Sequence, residues 1–321
     1  MPKISIILPA YNVEPYIERA LQSCINQTFK DIEIVVVDDC GKDKSIEIAK
    51  EYAKKDERIK IIHNEKNLGT FASRNVGVLN SNSEFIMFLD PDDYLELNAC
   101  EVGVYSFEKQ MSDLVIFNYK TQEEDGKVLD TCFSMQNINL SINQFLSLYI
   151  FENLNSGIFN SMVNKIYNKE LYLDSLRPYL QNYKKISIAE DVLTNFLYFA
   201  NLKNIYLINE TLYCYAFNPY SITREKKDIK RIQNSVNVLA YVANEIDVIS
   251  QKFSEEYFYF SQIVICNLNI HKIDLIYKYL TKNFLKKLII KIKRKRVKNK
   301  RKMYIKLTKE ILKSKDCDCI I

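Results

Sequence analysis

The chain is expected to be an α/β protein: a Rossmann-like, mostly parallel sheet with helices on both faces, followed by a helical C-terminal module. Three observations lead there. Short apolar runs alternate with amphipathic stretches through the first 120 or so residues, the pattern turns almost wholly helical from Glu225 onward, and 321 residues at 47% hydrophobic content can bury one large core plus an appendage.

The apolar runs Ile4–Leu8, Ile32–Val37, Ile59–Ile62, Phe85–Leu89 and Leu114–Tyr119 read as strands, and 15–28, 44–54, 70–80 and 96–110 as the helices between them. Strand and helix in strict alternation require parallel pairing with cover on both faces. The polar stretch Gln122-Glu123-Glu124-Asp125-Gly126 separates two candidate strands within 120–137, which is a hairpin signal. Beyond it, 141–151 and 189–201 read as helices, and 204–208 and 211–217 as short strands. The division expected is a first domain over 1–220 and a helical module over 221–321.

Composition removes several function classes. The eight cysteines form no Cys-x-x-Cys pair and only His63 and His271 could assist them, so neither a zinc cluster nor a disulfide framework is supported. Reduced thiols fit a cytoplasmic protein. No signal peptide is expected, and the apolar stretch around Tyr257–Ile270 is interrupted well short of the roughly 20 residues that span a bilayer. The net charge of +5 is local in origin: residues 282–315 hold 16 Lys or Arg against Glu310, leaving 29 basic and 39 acidic residues elsewhere, a balance of −10.

In a doubly wound sheet, ligands bind beyond the carboxyl ends of the strands. Three strand ends here carry reactive groups: Pro9-Ala10-Tyr11-Asn12, Asp38-Asp39 and Asp90-Pro91-Asp92-Asp93. The glycines, at 41, 69, 77, 103, 126 and 157, are too far apart to write a dinucleotide fingerprint or a phosphate loop. A diphosphate would therefore need another neutraliser. Three carboxylates at one strand terminus repel each other without a cation, and hard oxygen ligands suit Mg²⁺ or Mn²⁺ bridging phosphate oxygens. An acidic turn that caps a helix is the plainer reading of the same residues.

Taken together, Ile4-Ser5-Ile6-Ile7-Leu8-Pro9-Ala10-Tyr11-Asn12, Val36-Val37-Asp38-Asp39, Asn67-Leu68-Gly69 with Ala72-Ser73-Arg74-Asn75-Val76-Gly77, and Phe88-Leu89-Asp90-Pro91-Asp92-Asp93 resemble glycosyltransferase family 2, of the GT-A fold. The resemblance runs from residue 1 to about 220 and is nearest to bacterial lipooligosaccharide β-1,3-galactosyltransferases. It implies a metal-dependent inverting hexosyltransferase with a UDP-sugar donor, preferably UDP-galactose, and a glycan acceptor of lipooligosaccharide or another surface polysaccharide. By the same resemblance Pro9, Ala10, Tyr11 and Asn67 line the nucleotide and Asp39 accepts from the uracil ring N–H. Asp90 and Pro91 lie at the ribose or metal, Asp92 ligates Mn²⁺ or Mg²⁺, and Arg74 lies near the nucleotide-sugar, where a guanidinium can offset phosphate charge. An ordinary surface arginine is the alternative for Arg74.

Ala189-Glu190-Asp191-Val192-Leu193 resembles the family's Glu-Asp motif, which makes Asp191 the expected catalytic base and puts Glu190 on the acceptor side. Acids in a first turn also simply complement the helix dipole. Asn164-Lys165 resembles a segment on the acceptor side, where Lys165 would contact sugar or phosphate, or else lie on the surface. One departure stands out: Asn218 occupies the position where many members carry a histidine near the metal.

The basic segment interleaves apolar and cationic positions in Phe284-Leu285-Lys286-Lys287-Leu288-Ile289-Ile290-Lys291-Ile292. Such a segment suits an anionic membrane surface; nucleic-acid binding and a solvated tail are the competing readings. A lipid-linked acceptor favours the membrane, so no nucleic-acid partner is expected, and the protein is placed in the cytoplasm, peripheral on the inner face of the bacterial inner membrane. The rival functions are a nucleotide-sugar-binding or membrane-scaffold protein with a degenerate site, and a transferase using UDP-GlcNAc, UDP-GalNAc or UDP-Glc.

Overall fold

The computed structural model describes residues 1–132, 136–151, 157–180, 186–221, 228–281 and 284–314. In chain order the elements are β1 (Ile4–Ala10), α1 (Ile17–Ile25), β2 (Ile32–Asp38), α2 (Ser45–Ala53), β3 (Ile59–His63), α3 (Thr70–Asn80), β4 (Phe85–Phe88), β5 (Tyr94–Leu95), α4 (Ala99–Gln110), β6 (Leu114–Gln122), β7 (Val128–Thr131) and β8 (Ile138–Ser141). They continue with α5 (Ile142–Phe151), α6 (Gly157–Asn160), β9 (Lys165–Asn168), α7 (Lys169–Leu176), α8 (Glu190–Phe199), β10 (Asn204–Tyr215), α9 (Ile229–Ser250), α10 (Glu255–Leu275) and α11 (Phe284–Ser314). The chain divides into two compact units: Met1–Ile142, Ser156–Lys185 and Asn201–Pro219 form the first; Asn143–Asn155, Ile186–Ala200 and Tyr220–Ile321 form the second.

The first unit is built on one mixed sheet of order β3-β2-β1-β4-β9-β6-β10-β5, with β7 on β6 and β8 on β10. The pairs β3–β2, β2–β1, β1–β4 and β6–β10 are parallel, and β9 runs antiparallel between β4 and β6. The expected α/β class and its five leading strands are present. Strands buried on both faces need no polar alternation, and β1 and β2 accordingly bury almost every residue. Glu33 is the charged residue buried within β2; it is satisfied by Ser5 Oγ at 2.6 Å, Lys60 Nζ at 2.8 Å and Asn82 N at 2.9 Å.

Helix α1 buries Ile17, Ala20, Leu21 and Cys24, the i, i+3, i+4, i+7 face of an amphipathic helix. Each such aliphatic side chain contributes about 1.5–3 kcal/mol. Helix α3 approaches the sheet closely because it carries Gly77: a Cβ there would lie 2.3 Å from Ile7 Cγ2 and 3.2 Å from Val37 Cγ2. This contact seats the N-terminus of α3 at the carboxyl ends of β1 and β2.

Three features depart from the sequence reading. The segments 204–208 and 211–217 are one strand, β10, whose register with β6 shifts between Ile208 and Thr211 and again between Thr211 and Tyr213. The two-residue β5 and the four-residue β8 and β9 join the sheet without having been expected, since none is long enough to show a period. The β6–β7 hairpin does form, turning at Gly126 with φ 81°, the left-handed region glycine occupies freely; residues 133–135 of the expected 120–137 stretch lie outside the described residues.

The second unit is helical. α9 buries Ile232, Val236, Leu239, Val242, Ala243 and Ile246 along one face, and Asp228 caps it by accepting from Arg231 N at 2.7 Å. An aromatic cluster joins α5, α8 and α10: Phe145 meets Phe199 at 5.1 Å, Tyr149 meets Phe260 at 5.2 Å, and Tyr257 meets Phe196 at 5.2 Å. Helix α11 packs on α10 through Arg294, whose Nε is 2.5 Å from Asp274 Oδ1, and through Tyr304 against Tyr259, with Thr308 and Leu312 buried. Lys282, Asn283 and Lys315 of the basic segment lie outside the described residues. No helix among the described residues is long and apolar enough to cross a membrane, and the six described cysteines are free.

Candidate functional site

Parallel strands that end together bring their following loops together, and the carboxyl ends of β1, β2 and β4 do this in the first unit. After β1, Pro9 and Ala10 are followed by Tyr11, whose ring is exposed. Asn12 then turns with φ 52°, and its Oδ1 accepts from Lys42 N at 2.8 Å. The facing loop can come this close because position 41 is glycine: a Cβ there would sit 2.9 Å from Asn12 N.

At the end of β2, Asp39 N donates to Ala10 O at 3.0 Å, which joins two of the expected site segments. The Asp39 side chain is buried and holds the loop after β3. Its Oδ1 accepts from Asn64 Nδ2 at 2.9 Å and Leu68 N at 2.7 Å, and its Oδ2 from Asn67 Nδ2 at 3.0 Å and Gly69 N at 2.9 Å. A carboxylate offers about four lone-pair sites, so Asp39 is saturated as it stands. In this conformation the carboxylate ties down the loop that carries Asn67, and a base N–H, the partner expected for Asp39, would have to displace one of those four donors. Asp38, beside it, pairs with His63 Nδ1 at 2.8 Å and accepts from Cys40 N at 2.9 Å.

The Asp90–Asp93 turn leaves β4 toward β5. Arg74, one turn into α3, is buried rather than on the surface; its Nη2 lies 2.6 Å from Asp90 Oδ1 and its guanidinium 5.7 Å above the Phe88 ring. Asp92 Oδ2 accepts from Asn218 Nδ2 at 2.8 Å, and Asn218 Oδ1 accepts from Tyr16 OH at 3.1 Å. Asn218, the departure noted in the sequence, thus lies beside Asp92. Asp93, counted by sequence among three cation-facing acids, points inward: Tyr213 OH donates to its Oδ2 at 2.6 Å and Ala216 N to its Oδ1 at 2.9 Å.

Burial, and then the neighbouring Asp90, push the Asp92 carboxyl above its ordinary range. A divalent cation beside Asp90 and Asp92 would relieve that repulsion. The set is two carboxylates, since the Asn218 amide turns its nitrogen to Asp92 and its oxygen to Tyr16, and among the described residues there is no group of three or more His, Cys, Asp or Glu that could hold a metal ion. A site with two carboxylates suits an ion that keeps waters and phosphate oxygens in its shell, as Mg²⁺ and Mn²⁺ do.

Lys165 and the Glu190–Asp191 pair are carried by other elements. Lys165 is fully buried in β9, and its ammonium donates to Ile158 O at 2.9 Å, Ser161 O at 2.5 Å and Asn164 Oδ1 at 3.0 Å, so the surface reading is overturned and these contacts support the turn before its own strand. Glu190 and Asp191 open α8 in the second unit, after Ala189 with φ 60°, and Asp191 Oδ1 accepts from Val192 N at 2.8 Å. Sequence reasoning missed Arg19 and Tyr213, which both grip the acidic turn; they lie 73 and 120 residues from their partners, and no local pattern marks them.

Comparison with known proteins identifies the family. Residues 5–174, more than half of the chain, match the family described as Glycosyl transferase family 2. Glycosyltransferase GlyA of Streptococcus pneumoniae is 34% identical over 229 residues, covering 69% of this chain and 32% of that protein. The Bacillus subtilis glycosyltransferase EpsJ is 33% identical over 235 residues, covering 70% of this chain and 63% of its own. The chain therefore spans between about a third and just under two thirds of these curated relatives. Among solved structures, S. aureus TarS 1–349 in complex with UDP-GlcNAc aligns with a TM-score of 0.61 at 20% identity, over 97% of this chain and 92% of that one, a likeness of fold. A mixed α/β sheet with its acids gathered at the strand ends, and a family match across the segment that carries them, make this chain a member of glycosyl transferase family 2 with the GT-A fold.

Proposed function

We propose that the protein transfers a hexose from a UDP-sugar to a glycan acceptor with inversion, forming a β-linkage. The observation that carries this is the joining of Ala10, Asp39, Asn67, Arg74, Asp90 and Asp92 along one rim of the sheet, within the segment that matches the family. Tyr11 offers an exposed ring for the base, and Asn67 a side chain able to exchange its Asp39 bond for one to the nucleotide. Asp90 and Asp92 would hold Mn²⁺ or Mg²⁺, which when bound would supply Lewis-acid stabilisation to a departing diphosphate. Arg74 limits the charge that Asp90 adds to the rim.

Asp191 is the proposed base. It takes the proton of the acceptor hydroxyl as that oxygen bonds to the anomeric carbon and the bond from that carbon to the diphosphate oxygen breaks; UDP departs with the electron pair. A carboxylate in the first turn of a helix is favoured in its ionised form, the state a base must start in. Galactose is the preferred sugar and a lipooligosaccharide or other surface glycan the preferred acceptor, by family resemblance. UDP-GlcNAc is the second reading, favoured by its presence in the TarS complex. UDP production from a panel of UDP-sugars with Mn²⁺, with and without EDTA, tests the assignment; a protein that only binds nucleotide-sugars would release no UDP from any of them.

The acceptor is taken to be lipid-linked, with the protein peripheral on the cytoplasmic face of the inner membrane. Supporting this, Leu285, Leu288, Ile289 and Ile292 of α11 are exposed, and at 3.6 residues per turn they share one side of the helix, opposite Arg294 and Leu312 that pack inward. Lys286, Lys293, Lys291 and Lys295 flank that stripe, so apolar groups can enter the acyl boundary while cations meet anionic headgroups, each worth about 1 kcal/mol. Sedimentation with anionic liposomes tests it: Leu288→Glu with Ile292→Glu should abolish binding, and unchanged binding would remove the membrane from this account.

A further inference from the structure

We propose that Tyr213 is a positioning residue for the donor site: its buried hydroxyl fixes the Asp90–Asp93 turn so that Asp90 and Asp92 stay at the rim while Asp93 is held inward as the anchor. This rests on the reading of Asp90 and Asp92 as the diphosphate end of the donor site. Tyr213 is fully buried, and its oxygen serves both ends of the turn, donating to Asp93 Oδ2 at 2.6 Å and accepting from Asp90 N at 3.3 Å. The turn closes on itself through Asp93 N to Asp90 O at 2.9 Å, and Ala216 N, three residues past Tyr213, holds the other oxygen of Asp93 at 2.9 Å.

The strand is shaped for this contact. The register of β10 against β6 shifts between Thr211 and Tyr213, which re-aims the side chains that follow. Tyr213 and Tyr215 then share one face, with ring centroids 5.1 Å apart, while Cys214 between them turns to the other face and lies 3.4 Å from Glu96. From the far side, Arg19 Nη2 donates to Asp92 O at 2.5 Å with its guanidinium 5.3 Å over Tyr94. A phenylalanine at 213 would keep the ring packing and lose only the oxygen, so the hydroxyl can be tested apart from the core it sits in.

The experiment compares wild type with Tyr213→Phe, Asp93→Asn and the double variant, each at a temperature well below its unfolding midpoint. Hydrogen exchange across residues 90–93 without ligand reads the turn itself. Tyr213→Phe should exchange at least tenfold faster there, with strands β1 and β2 unchanged. Affinity for UDP with Mn²⁺ should fall at least tenfold, while affinity for uridine, which lacks the diphosphate, stays within about twofold. The double variant should bind UDP no worse than the weaker single variant, because both changes break one tie. Unchanged exchange across the turn, equal losses for UDP and uridine, or additive losses in the double variant would each overturn the proposal. If wild type fails to bind UDP while the exchange difference is present, the donor-site reading fails and the tie is only architectural, which also refutes the positioning role.

Discussion

Arg74 and Asp90 form a short ion pair at the site's rim, and its worth can be read from their surroundings. The Arg74 side chain is 8% exposed and that of Asp90 29%, with 2.6 Å between Nη2 and Oδ1. Breaking a fully buried pair from one side costs about 3–5 kcal/mol, and exposed pairs are worth about 0–1 kcal/mol. With one partner buried and the other partly wet, Arg74→Met, which retains the stem over Phe88, should lose about 2–3 kcal/mol. Asp90→Asn in the same background should recover part of that, giving a coupling of about 2 kcal/mol in a double-mutant cycle. Urea unfolding followed by circular dichroism is the suitable assay, because guanidinium chloride would itself screen the pair. A loss below about 0.5 kcal/mol, or additive single effects, would show that the pair is solvated and that Arg74 has no hold on the rim.

Three further outcomes are expected. Asp92→Ala should abolish metal-dependent UDP release and the Mn²⁺ dependence of UDP binding together; a variant whose UDP affinity still rises with Mn²⁺ would place the ion elsewhere. Asp191→Asn should bind UDP as wild type does and lose transfer by about 10²–10⁴-fold, the usual contribution of a general base; near-normal transfer would falsify the base assignment. Away from the site, the Arg58 guanidinium holds the Asp56 carboxyl below its ordinary value. A depressed folded value means this stability is present above the unfolded value of about 3.9 and is lost as pH falls through the folded one, so Asp56→Asn should cost about 1 kcal/mol at pH 7 and progressively less as pH falls below that unfolded value. A cost that does not shrink as pH falls would assign it to packing.

Much of the fold was legible because the strands that position the rim are buried on both faces and write themselves as unbroken apolar runs. β1, β2 and β4 are of this kind, and their ends name the site segments directly. Illegible parts were those whose partner is remote. β9 has four residues and takes its identity from lying between β4 and β6; β10 looked like two strands because its bulge interrupts the alternation. The same limit acts on side chains. Sequence can place Asp39 and Asp93 at strand ends, but which way a carboxylate turns depends on donors such as Asn64, Leu68, Tyr213 and Ala216, supplied by loops and strands formed far along the chain. Arg74 is the converse case: a helix position reads as solvent until a carboxylate from the next strand end meets it.

The most direct measurement is manganese anomalous scattering from crystals soaked with UDP and Mn²⁺. A single strong peak between Asp92 and the diphosphate, with uracil at the Pro9–Tyr11 loop, is the result expected. Nucleotide bound at the rim with no manganese peak beside Asp92, or bound away from the ends of β1, β2 and β4, would contradict the account.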